Sequence, residues 1–141
     1  MGIDYGQRRI GIAVSDPLGI LATGLPTIVY QTLPDALDQI GKTISDYQVR
    51  EVVVGLPLNL KGEESGAAQQ TRRFIEELRK RFALTISVWD ERFTSVLAQR
   101  ALKTIGKSPS RNREKIDQLS ATLLLQNYLD KRNHETRAHH D

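Results

Sequence analysis

The fold turns on Met1–Asp16, MGIDYGQRRIGIAVSD. An apolar start runs into Asp4, breaks at Gly6, passes Gln7, Arg8 and Arg9, and resumes as IGIAVSD, which reads as strand, tight turn and second strand. Asp4 therefore stands on what reads as a central strand. Burying an ionised carboxylate costs several kcal/mol unless positive charge meets it, so Asp4 implies a partner.

Further along, GLPTIVY (24–30) reads as a third strand with Pro26 near its start. Leu33, Leu37, Ile40 and Ile44 fall at helical spacing over 33–47, with Gly41 interrupting the pattern. EVVVGLP is a β-branched run stopped by Gly55 and Pro57, and LNLKGEESG is a loop. Ser65 is placed to cap a helix over 66–82, whose Ala67, Thr71, Phe74, Ile75, Leu78 and Phe82 share a face. LTISVWD (84–90) alternates as a strand. A helix over 94–104, a mobile linker GKSPSRN and a last helix over 112–129 follow. The expectation is one α/β domain over residues 1–132 and a disordered polar tail over 133–141. Three hairpin-connected antiparallel strands come first and then parallel ones, giving a mixed five-stranded sheet flanked by helices. Ligands of such sheets gather beyond the carboxyl ends of the parallel strands, where Asp4 and the end of VWDERFTS meet.

A chain of 141 residues suits one domain and is too short for two lobes. Without cysteine, disulfides and thiolate zinc sites are excluded, which accords with a reducing compartment. No apolar run reaches a membrane span and no signal segment opens the chain, so a cytoplasmic protein without a membrane partner is expected. The net charge is only +3, but it is uneven. Arg100, Lys103, Lys107, Arg111, Arg113 and Lys115 are opposed only by Glu114, a local excess of five that exceeds that of the whole chain. Such a window is a solvated loop unless acids converge nearby, in which case it can hold a phosphate backbone.

The acids do suggest convergence. Asp4 precedes Gly6 in a D-x-G pattern that lets backbone approach whatever the carboxylate holds; alone, it would read as a turn cap. Asp90 and Glu91 end a strand with side chains on opposite faces, so one at most faces the site. Asp90 is assigned to the turn or the following helix cap, and Glu91 to the site. Asp117 shares a helical face with Ala121, Leu124 and Tyr128, although an acid near a helix N-terminus also complements the dipole. Three carboxylates without Cys and with no well-placed His suit Mg²⁺ or Mn²⁺. A pair of such ions activates water and stabilises the leaving oxygen in phosphodiester hydrolysis.

Four motifs in order, GIDYGQRRIGIAVSD, VVVGLPLNLKGEES, VWDERFTS and KIDQLSATLLLQNYLD, resemble the YqgF (RuvX-like) family of RNase H-like nucleases over the chain up to about Arg132. The resemblance implies an RNase H-like fold and a divalent-metal-dependent nuclease acting on structured nucleic acid. The activity it implies is maturation of the 5′ end of 16S rRNA, with Holliday junction resolution as the alternative. Carried onto this chain, it makes Asp4, Glu91 and Asp117 the catalytic metal ligands of two ions. Arg8, Arg92 and Thr94 become candidates for support or phosphate contact, and GLPLNLKGEES would line the substrate side with Asn59 and Gly62 near it; Lys107, Arg111 and Arg113 of the basic window are the further candidates for nucleic-acid contact. Two departures stand out. Only three residues precede Asp4, so a shortened first strand or a truncated start is expected. VVVGLP also lacks the acid that related resolvases carry after the fourth strand, so Glu91 must reach in from the next one.

Two other readings compete. An actin-like phosphotransferase also begins with Asp-x-Gly, but it closes two lobes over its nucleotide. A non-catalytic nucleic-acid-binding assembly factor would keep the same acids without turnover. No exposed apolar stripe announces a dimer, so a monomer or weak homodimer is expected; rRNA precursor is the favoured partner and branched DNA the alternative.

Overall fold

The computed structural model describes residues 1–58, 61–91, 104 and 109–140, with the side chains of 109–112 and 138–140 outside that description. Its strands are β1 (Gly2–Asp4), β2 (Arg9–Ser15), β3 (Ala22–Val29), β4 (Glu51–Leu56) and β5 (Thr85–Asp90). Its helices are α1 (Leu33–Asp46), α2 (Gly66–Arg81) and α3 (Pro109–His140). The sheet order is β3-β2-β1-β4-β5. β1, β2 and β3 pair antiparallel, while β4 pairs parallel with both β1 and β5. This is the mixed five-stranded α/β sheet that the sequence suggests.

Burial follows strand position. β2 and β4 are buried almost continuously, as strands covered on both faces must be. β3 lies at the edge, where Pro26 removes a donor that the ladder does not need. Period-two alternation divides the side chains between two cores. Ile3, Ile10, Ile12, Val14, Val52, Val54 and Ile86 face α1 and α2, meeting Leu37, Ile40, Phe74, Ile75 and Leu78. Ala13, Val53 and Trp89 face the other way, onto Ala121, Leu124, Leu125 and Leu129 of α3. Thr32 caps α1, its hydroxyl accepting from the Asp35 N–H.

The α3 side of the sheet is built small. Gly2, Ala13 and Gly24 lie side by side across three strands and leave a furrow for the helix. Gly11 makes the closest approach, since a Cβ there would overlap the Asp117 carbonyl oxygen. α3 is thereby pinned with Asp117 beside the carboxyl end of β1.

Three boundaries differ from expectation. α3 begins at Pro109 rather than 112, so the second half of the expected linker is helical; proline suits a first helical turn because its missing N–H is not needed there. The expected disordered tail is instead helical through His140. No Gly or Pro interrupts the sequence after Pro109, and Asn133 Nδ2 donates to the Gly19 carbonyl at 3.0 Å. Gln126 secures the same turn, accepting from Ala22 N–H and donating to Ile20 O. β3 starts at Ala22, two residues early, because Ala22 to Thr23 pair with Ser15 to Val14. β1 is three residues long. The helix expected over 94–104 falls outside the described residues apart from Thr104. Among the described residues no helix is long and apolar enough to cross a membrane.

Candidate active site at the carboxyl end of the sheet

Asp4 closes β1 on the α3 face, two residues beyond Gly2 and opposite Gly11 of β2. Glu91 follows β5 directly, two residues beyond Trp89 and thus on the same face. Asp90 takes the other parity, as expected. Between β1 and β5 lies β4, so Glu91 must cross a whole strand to reach Asp4, and it does so over Gly55. A Cβ at position 55 would stand 2.5 Å from Glu91 Oε1 and 3.0 Å from its Cγ. The missing acid after the fourth strand is thus replaced by an absence of side chain on that strand.

The two carboxyl groups are hydrogen-bonded to each other, and Ser120, on α3, is hydrogen-bonded to Asp4 as well. Burial, then the charges of Glu91 and Asp117, push the Asp4 carboxyl from 3.8 up to about 8. Glu91 is raised as well, first by burial and then by Asp90, against the lowering effect of its bond from Asp4. A carboxylate pair that can ionise only at such cost is a place where a cation would be stabilised.

Asp117 contributes its field, while its Oδ2 is engaged elsewhere. Arg9 Nε donates to Asp117 Oδ2 at 2.8 Å. Accordingly, no three His, Cys, Asp or Glu side chains are grouped to hold an ion among the described residues. The donor set nevertheless fits a hard divalent cation: it is all oxygen, and Asp4 and Glu91 already meet.

The structure therefore brings Asp4 and Glu91 together, with the charge of Asp117 felt at Asp4 and its Oδ2 held by Arg9. Arg8 is exposed in the β1–β2 turn. Gly62 occupies a positive-φ turn (81°) in the loop that follows β4. Arg113 is exposed on the first turns of α3. Asn59, Arg92, Thr94 and Lys107 lie outside the described residues, as does the side chain of Arg111.

Sequence reasoning missed Arg9, Ser120 and Gly55. Strand parity held a signal for the first, because Arg9 is in step with Gly11 and Ala13 on the α3 face, whereas Arg8 is not. Ser120 lies one helical turn from Asp117 and so shares its face. Nothing in the sequence marks Gly55 apart from the end of a valine run.

Comparison with known proteins bears on the family and the fold. A family model described as RuvX, Holliday junction resolvase, matches residues 1–131. A Koribacter versatilis protein named "Putative pre-16S rRNA nuclease" is 46% identical over 132 residues, covering 94% of this chain and 86% of that protein. A Halothermothrix orenii protein of the same name is 41% identical over 133 residues, covering 94% and 95%. Among solved structures, T. thermophilus RuvC in complex with Holliday junction substrate superposes with a TM-score of 0.57 at 13% identity, over 92% of this chain and 93% of that one. Fowlpox virus resolvase with its junction DNA gives 0.52 at 9%, over 92% and 95%. These two likenesses concern the fold alone, an RNase H-like one. With the family match spanning nearly all of the sequence and relatives aligned over most of their length, the chain belongs to the RuvX (YqgF) family.

Proposed function

We propose that this protein is a divalent-cation-dependent nuclease that hydrolyses phosphodiester bonds in structured nucleic acid, with the 16S rRNA precursor as its substrate in ribosome maturation in the cytoplasm. The observation that carries the reading is the meeting of Asp4 and Glu91 at the carboxyl end of the sheet, within the field of Asp117, in a chain of this family.

Asp4, Glu91 and Asp117 would hold Mg²⁺ or Mn²⁺, as two ions. When bound, the ions supply an activated water and stabilise the leaving oxygen. The chain's own residues prepare for this. Asp4 gives up the proton it shares with Glu91, which frees both carboxylates as ligands. Ser120 holds the Asp4 carboxylate in one orientation, and Gly55 keeps the path to Glu91 open. Arg8, Arg92, Thr94, Asn59 and the basic residues Lys107, Arg111 and Arg113 contact phosphates along the substrate. A monomer or weak homodimer suffices for cleavage of a single strand.

Junction resolution is the second reading, favoured by the family's description. It requires two sites acting together and hence a dimer. Incubating the full chain with labelled 16S rRNA precursor and with a four-way DNA junction, with and without Mn²⁺, separates the two. Cation-dependent cleavage of the precursor alone supports the first reading and symmetric junction cuts support the second; binding without cleavage of either points to a non-catalytic assembly factor and overturns both.

The basic window offers an independent check. Alanine at Lys107, Arg111 and Arg113 together should weaken binding of all nucleic acids in an Asp4→Asn background. Each lost phosphate contact should flatten the slope of log K against log salt by about 0.7–0.9. Thermal stability should stay nearly unchanged. An unaltered slope would return the window to a solvated surface.

A further inference from the structure

Arg9 opens β2 on the face that meets α3, and its Nε donates to Asp117 Oδ2 at 2.8 Å. The pair is only partly shielded, at 31% and 21% side-chain exposure, so solvent and ligands can reach it. The backbone around Asp117 is fixed: its carbonyl lies against Gly11, and Ala121, one turn on, is fully buried with its carbonyl packed on Gly2. Asp117 can therefore change partner only through its side chain, and turning Oδ2 away from Arg9 breaks that bond.

A carboxylate oxygen committed to a guanidinium is unavailable to a cation, and a guanidinium released from a carboxylate is well suited to a phosphate. We propose that Arg9 is a positioning residue that latches Asp117 away from the Asp4–Glu91 pair until a nucleic-acid phosphate takes over the guanidinium, so that the third cation ligand is delivered only when substrate is present. The latch couples the two binding events reciprocally: phosphate at Arg9 tightens the cation, and the cation at Asp117 frees Arg9 for phosphate. It also disfavours a fully assembled site in the substrate-free protein. This inference rests on the reading of Asp4, Glu91 and Asp117 as cation ligands.

The test is Mn²⁺ binding by the full chain, followed by calorimetry and by the rise in melting temperature, with and without a nuclease-resistant phosphorothioate RNA. In the wild type the RNA should tighten Mn²⁺ binding. Arg9→Gln should bind Mn²⁺ roughly fivefold more tightly than the wild type without RNA, the factor expected from removing a partly exposed ion pair. RNA should add nothing further to that variant. Arg9→Lys, which keeps the charge without the planar fork, should fall between the two and serves as the reading if the Gln variant does not fold. In an Asp117→Asn background, adding Arg9→Gln should leave Mn²⁺ binding unchanged. Equal or weaker Mn²⁺ binding by Arg9→Gln overturns the latch while leaving the acid site standing, as does a difference that persists without Asp117. Failure of the wild type to bind Mn²⁺ with or without RNA overturns the acid-site reading, and the latch with it.

Discussion

Asp4→Asn should lose about a hundredfold or more of cleavage activity while becoming more stable than the wild type in chelator. Both effects come from the same carboxyl. Its raised titration means that the folded chain holds a proton that the unfolded chain has released, so the unfolding free energy of the cation-free protein falls as pH rises from about 4 to about 8. Below that window Asp4 is neutral in both states and costs nothing. Above it the folded chain carries a crowded negative charge beside Glu91 and within reach of the Asp117 field. Asparagine keeps the shape and can still donate to Glu91, so the variant should be more stable than the wild type near pH 8 and show a flatter pH dependence. Mn²⁺ should raise the melting temperature of the wild type by binding the native state only, and the rise should shrink in Asp4→Asn. Denaturant unfolding across pH, in chelator and in Mn²⁺, measures all of this. A variant less stable than the wild type at every pH would show that Asp4 is not an uncompensated charge.

Gly55→Ala should cost as much activity as Glu91→Gln, although residue 55 carries no functional group. The added methyl would stand 2.5 Å from Glu91 Oε1, closer than any Cβ contact tolerates, and its neighbours on β4 are buried. Glu91 must therefore swing aside, because the strand cannot. Overpacking of this kind costs about 1–3 kcal/mol, which corresponds to roughly ten- to a hundredfold in rate if it falls on ligand geometry. The double variant Gly55→Ala/Glu91→Gln should be no worse than Glu91→Gln alone, since a residue that acts only through another is non-additive with it. Asp90→Asn, on the opposite face, should lose far less. Additive losses in the double variant, or full activity of Gly55→Ala, would mean that Glu91 does not work across β4.

The architecture was legible in the sequence. The strand–turn–strand reading of residues 1–16, the valine run of β4 and the alternation of TISVWD are local hydrophobic patterns, and burial on one or two faces of a sheet requires them wherever the strands sit. The parity of Asp90 and Glu91 was legible for the same reason, because adjacent residues of a strand end must point apart. Local pattern was weaker at the ends of elements: Pro109 and Asn133 read as linker and tail, yet both belong to a helix held by contacts with the sheet and with the β2–β3 turn.

How the acids stand towards one another was set by packing in three dimensions. Asp4 and Glu91 are separated by 87 positions and by an intervening strand, and they meet because Gly55 has no side chain at the crossing. Asp117 is brought to the same corner because Gly11 admits the helix backbone, but its Oδ2 turns to Arg9, 108 residues away in sequence. The Arg9 guanidinium attracts Asp117 while the acidic pair repels it, and distances of a few ångströms settle where its Oδ2 rests. Residue type and spacing along the chain carry the identities of those groups; only the packing of α3 on the sheet sets their order of preference.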